Sequence, residues 1–319
     1  MDPIDLAADA PFHPSLWIGV GKVFSNSLPP EVSNEKQQAL EIPKTFGTSL
    51  PSPTIHIYDF VRQELPLQSS GLSFHTPAEW FGGDSPCTNP EIVLRRSIPP
   101  RSVLKDLDAA VGQVWLDSGR SIVDPRFSDG LEQFPLWTLS LWNEIQRSIQ
   151  CQNEWRSSVR WLESMTYPAG IAEQVKAIVE GLSWDQPLHL RGATSLNLTG
   201  FLGTPWLSDI QIDMMIDTLQ ERMKSEGRVE GAIIESVAFS NEIVRVGRGM
   251  KEPNSKYLLK IADRIRGTHA KVLWFPIHVN GSHWIAGRVD FGTCAFAFGK
   301  LEAHAVNNAI KTYLWQEIQ

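Results

Sequence analysis

The chain has 319 residues and a formal net charge of −7, room for one large domain or two ordinary ones and a poor match to the cationic surplus that sequence-independent nucleic-acid binding needs. Hydrophobic residues make up 42%, charged residues 20%, and there are 12 tryptophans, a composition that packs a core and excludes wholesale disorder. Three widely spaced cysteines, Cys87, Cys151 and Cys294, with no C-x-x-C pair, exclude a disulfide scaffold and a cysteine-rich zinc module and suit a reducing compartment. The acidic start, M-D-P-I-D-L, lacks the order of a signal peptide. No apolar run approaches the roughly 18–20 residues of a membrane-spanning helix. The expectation is an intracellular protein of the nucleus or cytoplasm, with neither membrane nor nucleic acid as partner.

Fourteen of the 21 prolines fall in residues 1–100, so this stretch reads as an irregular, Pro-rich arm with short ordered pieces, one of them around Thr54 to Phe60. From 101 the pattern turns helical. Val103, Leu104, Leu107, Val111, Val114 and Trp115 keep one face, and Asp117-Ser118-Gly119 is the stop. Further helices are predicted over 136–149, 153–164 and 170–181, the last carrying Ile171, Val175, Ile178 and Val179. Tryptophans on these helices read as core. Residues 101–195 thus form a mainly helical segment, whose sharper alternative role is a protein-interaction platform.

The last third mixes periods. Ser208 and Gln211 have the spacing of a capping box ahead of a helix over 208–223, with Ile212, Met215, Ile216, Leu219 and Met223 as its buried stripe. A strand is predicted at 232–239 and a helix at 255–266, starting after Asn254 and stopping at Gly267. Three extended runs follow, 272–279, 284–289 and 294–298. A terminal amphipathic helix over 303–318 shows Val306, Ala309, Ile310, Tyr313 and Leu314 on one side. The order indicates an α+β domain.

His278 and His283 lie five residues apart, which in a strand puts them on opposite faces, with no third ligand nearby. No metal and no cofactor are expected, and on local chemistry alone His283 reads as structural. The surrounding motifs add more. Trp206-Leu207-Ser208-Asp209 before a helix, then Phe275-Pro276-Ile277, His283-Trp284 and Val289-Asp290 in order, resemble the catalytic domain of the ubiquitin-like-protease (Ulp) family, cysteine peptidases that cleave SUMO-type modifiers. The resemblance covers about 196–319 and implies a partial, papain-like Ulp domain behind the arm (1–100) and the helical segment (101–195). It implies His283 as general base, Trp206 and Trp284 as indoles flattening the modifier's Gly-Gly tail, and Asp209 as a contact to the modifier's surface.

Two departures qualify it. With a turn at 291–293, His283 is expected opposite residue 300 or 301, so Lys300 would stand where the family places its aspartate. An ammonium cannot accept the ring N–H and disfavours the imidazolium. The family's nucleophile lies beyond residue 319, and Cys294, about 20 Å along the strand from His283, is far outside the roughly 3 Å of a hydrogen bond. The expectation is therefore a Ulp-like chain with an incomplete catalytic set. The alternatives are a module that binds ubiquitin-like proteins, and the helical platform. A protein partner covering an incomplete domain is also expected.

Overall fold

A computed structural model describes residues 30–69, 75–83, 89, 91–127, 132–164, 169–189, 192–203, 206–227, 231–250, 255–279, 283–293 and 295–297. Helices alternate with two small sheets, the α+β mixture expected from the sequence. The chain separates into two compact units, residues 1–154 and 155–319, where composition suggested breaks near 100 and 195.

In the first unit the Pro-rich stretch holds short helices at Pro30–Leu40 (α1), Lys44–Gly47 (α2), Ile57–Arg62 (α3) and Glu91–Arg95 (α4). The longer helix α5, Arg101–Leu116, ends at Asp117 with Ser118 in the left-handed region, matching the predicted stop. A three-stranded antiparallel sheet, β1 (Phe81–Gly82), β2 (Ser121–Val123) and β3 (Gln133–Pro135), packs with α5 around Trp80, Leu104, Leu107, Ile122 and Phe134. The Arg126 guanidinium is fixed by both oxygens of buried Asp124, the Ser97 carbonyl and the Ser69 hydroxyl.

Helix α6 runs unbroken from Trp137 to Ser164, where two helices with a break near 150 were expected. One polar residue there, Gln152, bonds inward while the helix continues. Gln152 is buried and donates to the carbonyls of Phe60 and Gln63 at 2.7 and 2.8 Å. A satisfied amide is tolerated in a helix interior.

The second unit begins with buried Trp155, whose indole N–H donates to the Trp184 carbonyl at 2.9 Å. Helix α7 covers Ala169–Gly181; Val179 is buried, while Ile171 and Ile178, expected to face inward, are exposed. A 3-10 turn at Ser195–Phe201 leads to helix α8, Asp209–Ser225. The Ser208 backbone N–H donates to Gln211 Oε1 at 2.7 Å, and the Gln211 amide donates onward to the Asn197 carbonyl at 2.8 Å. The capping box is present, and it also ties the helix start to the preceding turn.

A four-stranded sheet follows, in the order β4 (Ala232–Ile234), β5 (Val272–Val279), β6 (His283–Asp290) and β7 (Ala295–Ala297). Strand β4 pairs parallel with β5, and the other pairings are antiparallel. The predicted strand 232–239 stops at Ile234, because Val237–Gly247 forms a helix, α9. Its apolar residues fit either period over so short a run. Tertiary context decides: Asp213 accepts the Val237 N–H at 2.8 Å and satisfies a first-turn donor. Helix α10, Lys256–Thr268, is capped by the Ser255 hydroxyl and closes at His269, which adopts the left-handed conformation; the expected start, Asn254, lies outside the described residues. Gly267 sits within the helix instead of ending it.

Helices α9 and α10 cover one face of this sheet. Phe239, Ile243, Leu258, Ile261 and Ile265 pack on Leu273, Phe275, Ile277, Val279 and Val289. Burial along β5 alternates strictly, with residues 273, 275, 277 and 279 inward. The expected terminal helix over 303–318, Lys300, Cys87 and Cys294 all lie outside the described residues.

Phe239 is fully buried and meets Phe275 edge-on at 5.0 Å between centroids. Replacing it by alanine is expected to destabilise the second unit by about 3–5 kcal/mol, read as a lower urea midpoint by near-UV circular dichroism. A loss below about 1 kcal/mol would contradict the packing at that site.

Candidate functional site

The β5–β6 hairpin fixes which side chains meet. Val279 pairs with His283 and His278 with Trp284, so the two histidines take opposite faces, as their odd spacing predicts. His283 stands at the start of β6 and is exposed. Trp284, on the other face, stacks on His278 with centroids 4.4 Å apart and planes at 22°. Among the described residues no cluster of metal-ligating side chains occurs.

The segment before α8 comes to the same place. The Trp284 indole N–H donates to the Leu207 carbonyl at 2.8 Å, across 77 residues of sequence. Beside it, Trp206 meets the His283 ring at 6.1 Å and 81°, edge-to-face geometry that aromatic rings favour. Trp206 is nevertheless 71% exposed, so most of its indole is available to a ligand. Three of the four expected site residues, Trp206, His283 and Trp284, are thus brought together. Asp209 lies at the first position of α8, exposed, where the positive end of the helix dipole favours its charge.

The other groups that the Ulp resemblance implies are not brought to His283 by the described residues. No carboxylate among them is bonded to the His283 imidazole. Cys151, buried in the first unit, is the one cysteine among them. At the far end of the hairpin Ala295 pairs with Asp290, seven residues along β6 from His283, or about 23 Å of strand; Cys294 lies outside the described residues. The β6–β7 rungs pair Arg288 with Ala297 and Asp290 with Ala295. This register differs by one residue from that expected from a turn centred on Gly292. The pairing that would set Lys300 against His283 falls outside the described residues.

Sequence reasoning missed two participants. His278 acts as a stacking plate for Trp284, and the Leu207 carbonyl anchors the indole. The alternation of β5, which puts Trp274, Pro276 and His278 on one face, carries the signal for the first. The second needs a contact that no local pattern encodes. A groove of about 680 Å³ also runs between α8 and this face of the sheet, lined by Ile212, Met215, Leu219, Trp274, Pro276 and Trp284 among others. Met215 and Leu219, expected to be buried, are 51% and 46% exposed on it.

No protein-family model, no curated protein and no solved structure matches the chain. Among the described residues no helix is long and apolar enough to cross a membrane.

Asp290 pins the turn that sets the hairpin register. Its Oδ1 accepts the N–H groups of Gly292 and Thr293, each at 3.0 Å, and its Oδ2 accepts from Arg288 at 2.7 Å. These bonds, the Thr293 N–H foremost, hold its carboxyl below the ordinary value of 3.8. A depressed carboxylate contributes stability above its unfolded value and loses that contribution as pH falls through the folded one. Protection of the β7 amides from hydrogen exchange, corrected for intrinsic rate, is therefore expected to drop as pH goes below 3.8. In Asp290→Asn the profile is expected to be flat. Wild-type protection that stays constant through this range would remove the turn from the account.

Proposed function

We propose that the second unit is the recognition part of a Ulp-type domain, a partial papain-like fold, and that it binds the extended C-terminal tail of a ubiquitin-like, SUMO-type modifier at Trp206, His283 and Trp284. The observation that carries this reading is the Trp284–Leu207 bond, which draws the two motif-bearing segments together across 77 residues. The exposed indole of Trp206 standing edge-on to the His283 ring supports it. A flat peptide such as a Gly-Gly tail needs aromatic walls more than charge, and large rigid aromatics supply contact area at low entropic cost. Asp209, exposed three residues after Trp206, is placed to meet a basic patch on the modifier's globular surface.

The same arrangement argues for binding over hydrolysis. A histidine base activates a thiol only within about 3 Å, or through one water, and it needs a partner on its second nitrogen to fix the tautomer. Neither group is supplied by the described residues of the second unit. The expectation is a modifier-binding module without peptidase turnover.

Titration of fluorescently labelled SUMO and ubiquitin against the full chain tests it. Saturable binding of one of them is expected, weakened about tenfold or more by Trp206→Ala, consistent with loss of a buried aromatic contact. Trp284→Phe keeps the ring and loses the bond to Leu207, and is expected to weaken binding less. Absence of saturable binding by the wild type sinks the recognition reading. A covalent adduct with a modifier bearing a C-terminal vinyl sulfone would instead reveal a competent thiol and overturn the non-catalytic part.

A further inference from the structure

The groove beside α8 is not explained by tail recognition. It is lined by apolar side chains alone, six of the contributors being Ile212, Met215, Leu219, Trp274, Pro276 and Trp284. Met215, Leu219 and Trp274 are 51%, 46% and 39% exposed, a cluster of large apolar groups of the kind that marks a docking surface. A charged occupant would bury its charge unpaired there, so the complement must present an apolar face.

We propose that this groove is the docking site of the chain's own C-terminal segment, residues 303–318, bound as an amphipathic helix. Three observations favour this occupant. First, Val306, Ala309, Ile310, Tyr313 and Leu314 fall on one side at helical spacing, while His304, Asn307, Asn308 and Lys311 fall on the other. The segment thus offers an apolar stripe of the width a groove accepts. Second, the segment is long enough. Sixteen helical residues span about 24 Å, more than the roughly 16 Å that the groove wall rises from Ile212 to Met223. Third, the segment is within reach. Strand β7 ends at Ala297 and lies two strands from β5, about 10 Å away. The intervening residues 298–302 can extend to roughly 17 Å. A tether this short sets an effective concentration in the millimolar range, so the segment outcompetes a separate partner of equal affinity. Trp284 lines the groove and also belongs to the proposed tail site, so the two sites share one side chain, but docking of the segment does not rest on tail recognition.

The full chain supplies the test through methionine oxidation, since peroxide attacks exposed thioethers. Met215 lies in the groove, and Met250, 68% exposed and not among the groove's lining residues, serves as the internal reference. In the wild type Met215 is expected to oxidise severalfold more slowly than Met250. In Ile310→Asp/Leu314→Asp its rate is expected to approach that of Met250, which itself stays unchanged. Asn307→Asp/Lys311→Asp, on the opposite side, is expected to leave Met215 protected. Equal rates at Met215 in the wild type and the first variant would overturn the proposal. So would protection that disappears on dilution alongside a dimer in light scattering, which assigns the groove to a second copy. Unchanged binding of labelled modifier by the first variant is compatible with docking, so failure here is distinct from failure of the recognition reading.

Discussion

Eight consecutive antiparallel rungs between β5 and β6 are the constraint on which the second unit depends. Strand side chains alternate with period two, so a slip of one residue would carry Leu273, Phe275, Ile277 and Val279 out of the core and bring Trp274 and His278 in. The register is held by more than backbone bonds. Gly287 pairs with Phe275, and a Cβ there would come within 2.9 Å of the Phe275 and Ile277 side chains. The strand carries a glycine where the Phe275 ring needs the space. At the other edge the Glu235 N–H donates to the Trp274 carbonyl at 2.8 Å, continuing the parallel pairing one residue past β4.

Given this register, the division of labour between the two faces follows. The inner face receives α9 and α10, and Arg264 of α10 pairs with the buried carboxylate of Glu235. A buried charge is tolerable only when so paired. The outer face is met by α8 along one side alone. Asp213 binds the first turn of α9, the Leu207 carbonyl receives the Trp284 indole, and the Gln220 amide donates to the Ile234 carbonyl of β4 at 2.6 Å, so α8 is tied to its neighbours at its start and again past its middle. Met215 and Leu219 nevertheless remain half exposed. The aromatic cluster and the open groove lie where one helix covers only part of an amphipathic sheet face.

Legibility in the sequence tracked how local each signal was. Strand β5, with strict alternation over eight residues, and α8, with its own capping box, are readable because the deciding contacts lie within a few positions. Helix α9 is not, since the apolar residues of 232–239 on either side of Glu235-Ser236 fit both periods over so short a run, and the acceptor for its first turn, Asp213, is 24 residues away. The separation expected between helices over 136–149 and 153–164 is absent, and Gln152, inside that gap, is satisfied by the carbonyls of Phe60 and Gln63 about 90 positions earlier. The stripe on α8 was legible as apolar but not as half covered, because periodicity reports which residues share a face and not what lies against it. At the site, the ordered motifs placed Trp206, His283 and Trp284 in one region, whereas their mutual orientation rests on a hydrogen bond between segments 77 residues apart.

Recognition of an extended peptide and catalysis on it make unequal demands on a cluster of aromatic rings. Aromatic walls act through area and dispersion, which fall off gently with small displacements and tolerate a tilted ring. Proton transfer from a thiol to an imidazole requires atoms aligned within a few tenths of an ångström, and a third group to orient the base. The Trp206–His283 contact is edge-on, and the Trp206 ring is largely exposed. It leaves the imidazole without an orienting carboxylate among the described residues. The groups that hold Trp284 in place, His278 and the Leu207 carbonyl, act by stacking and by accepting one indole N–H, and neither has to move a proton to do so. The Trp284 indole is placed by the same contact that ties β6 to the start of α8, so its position is set wherever that part of the fold forms.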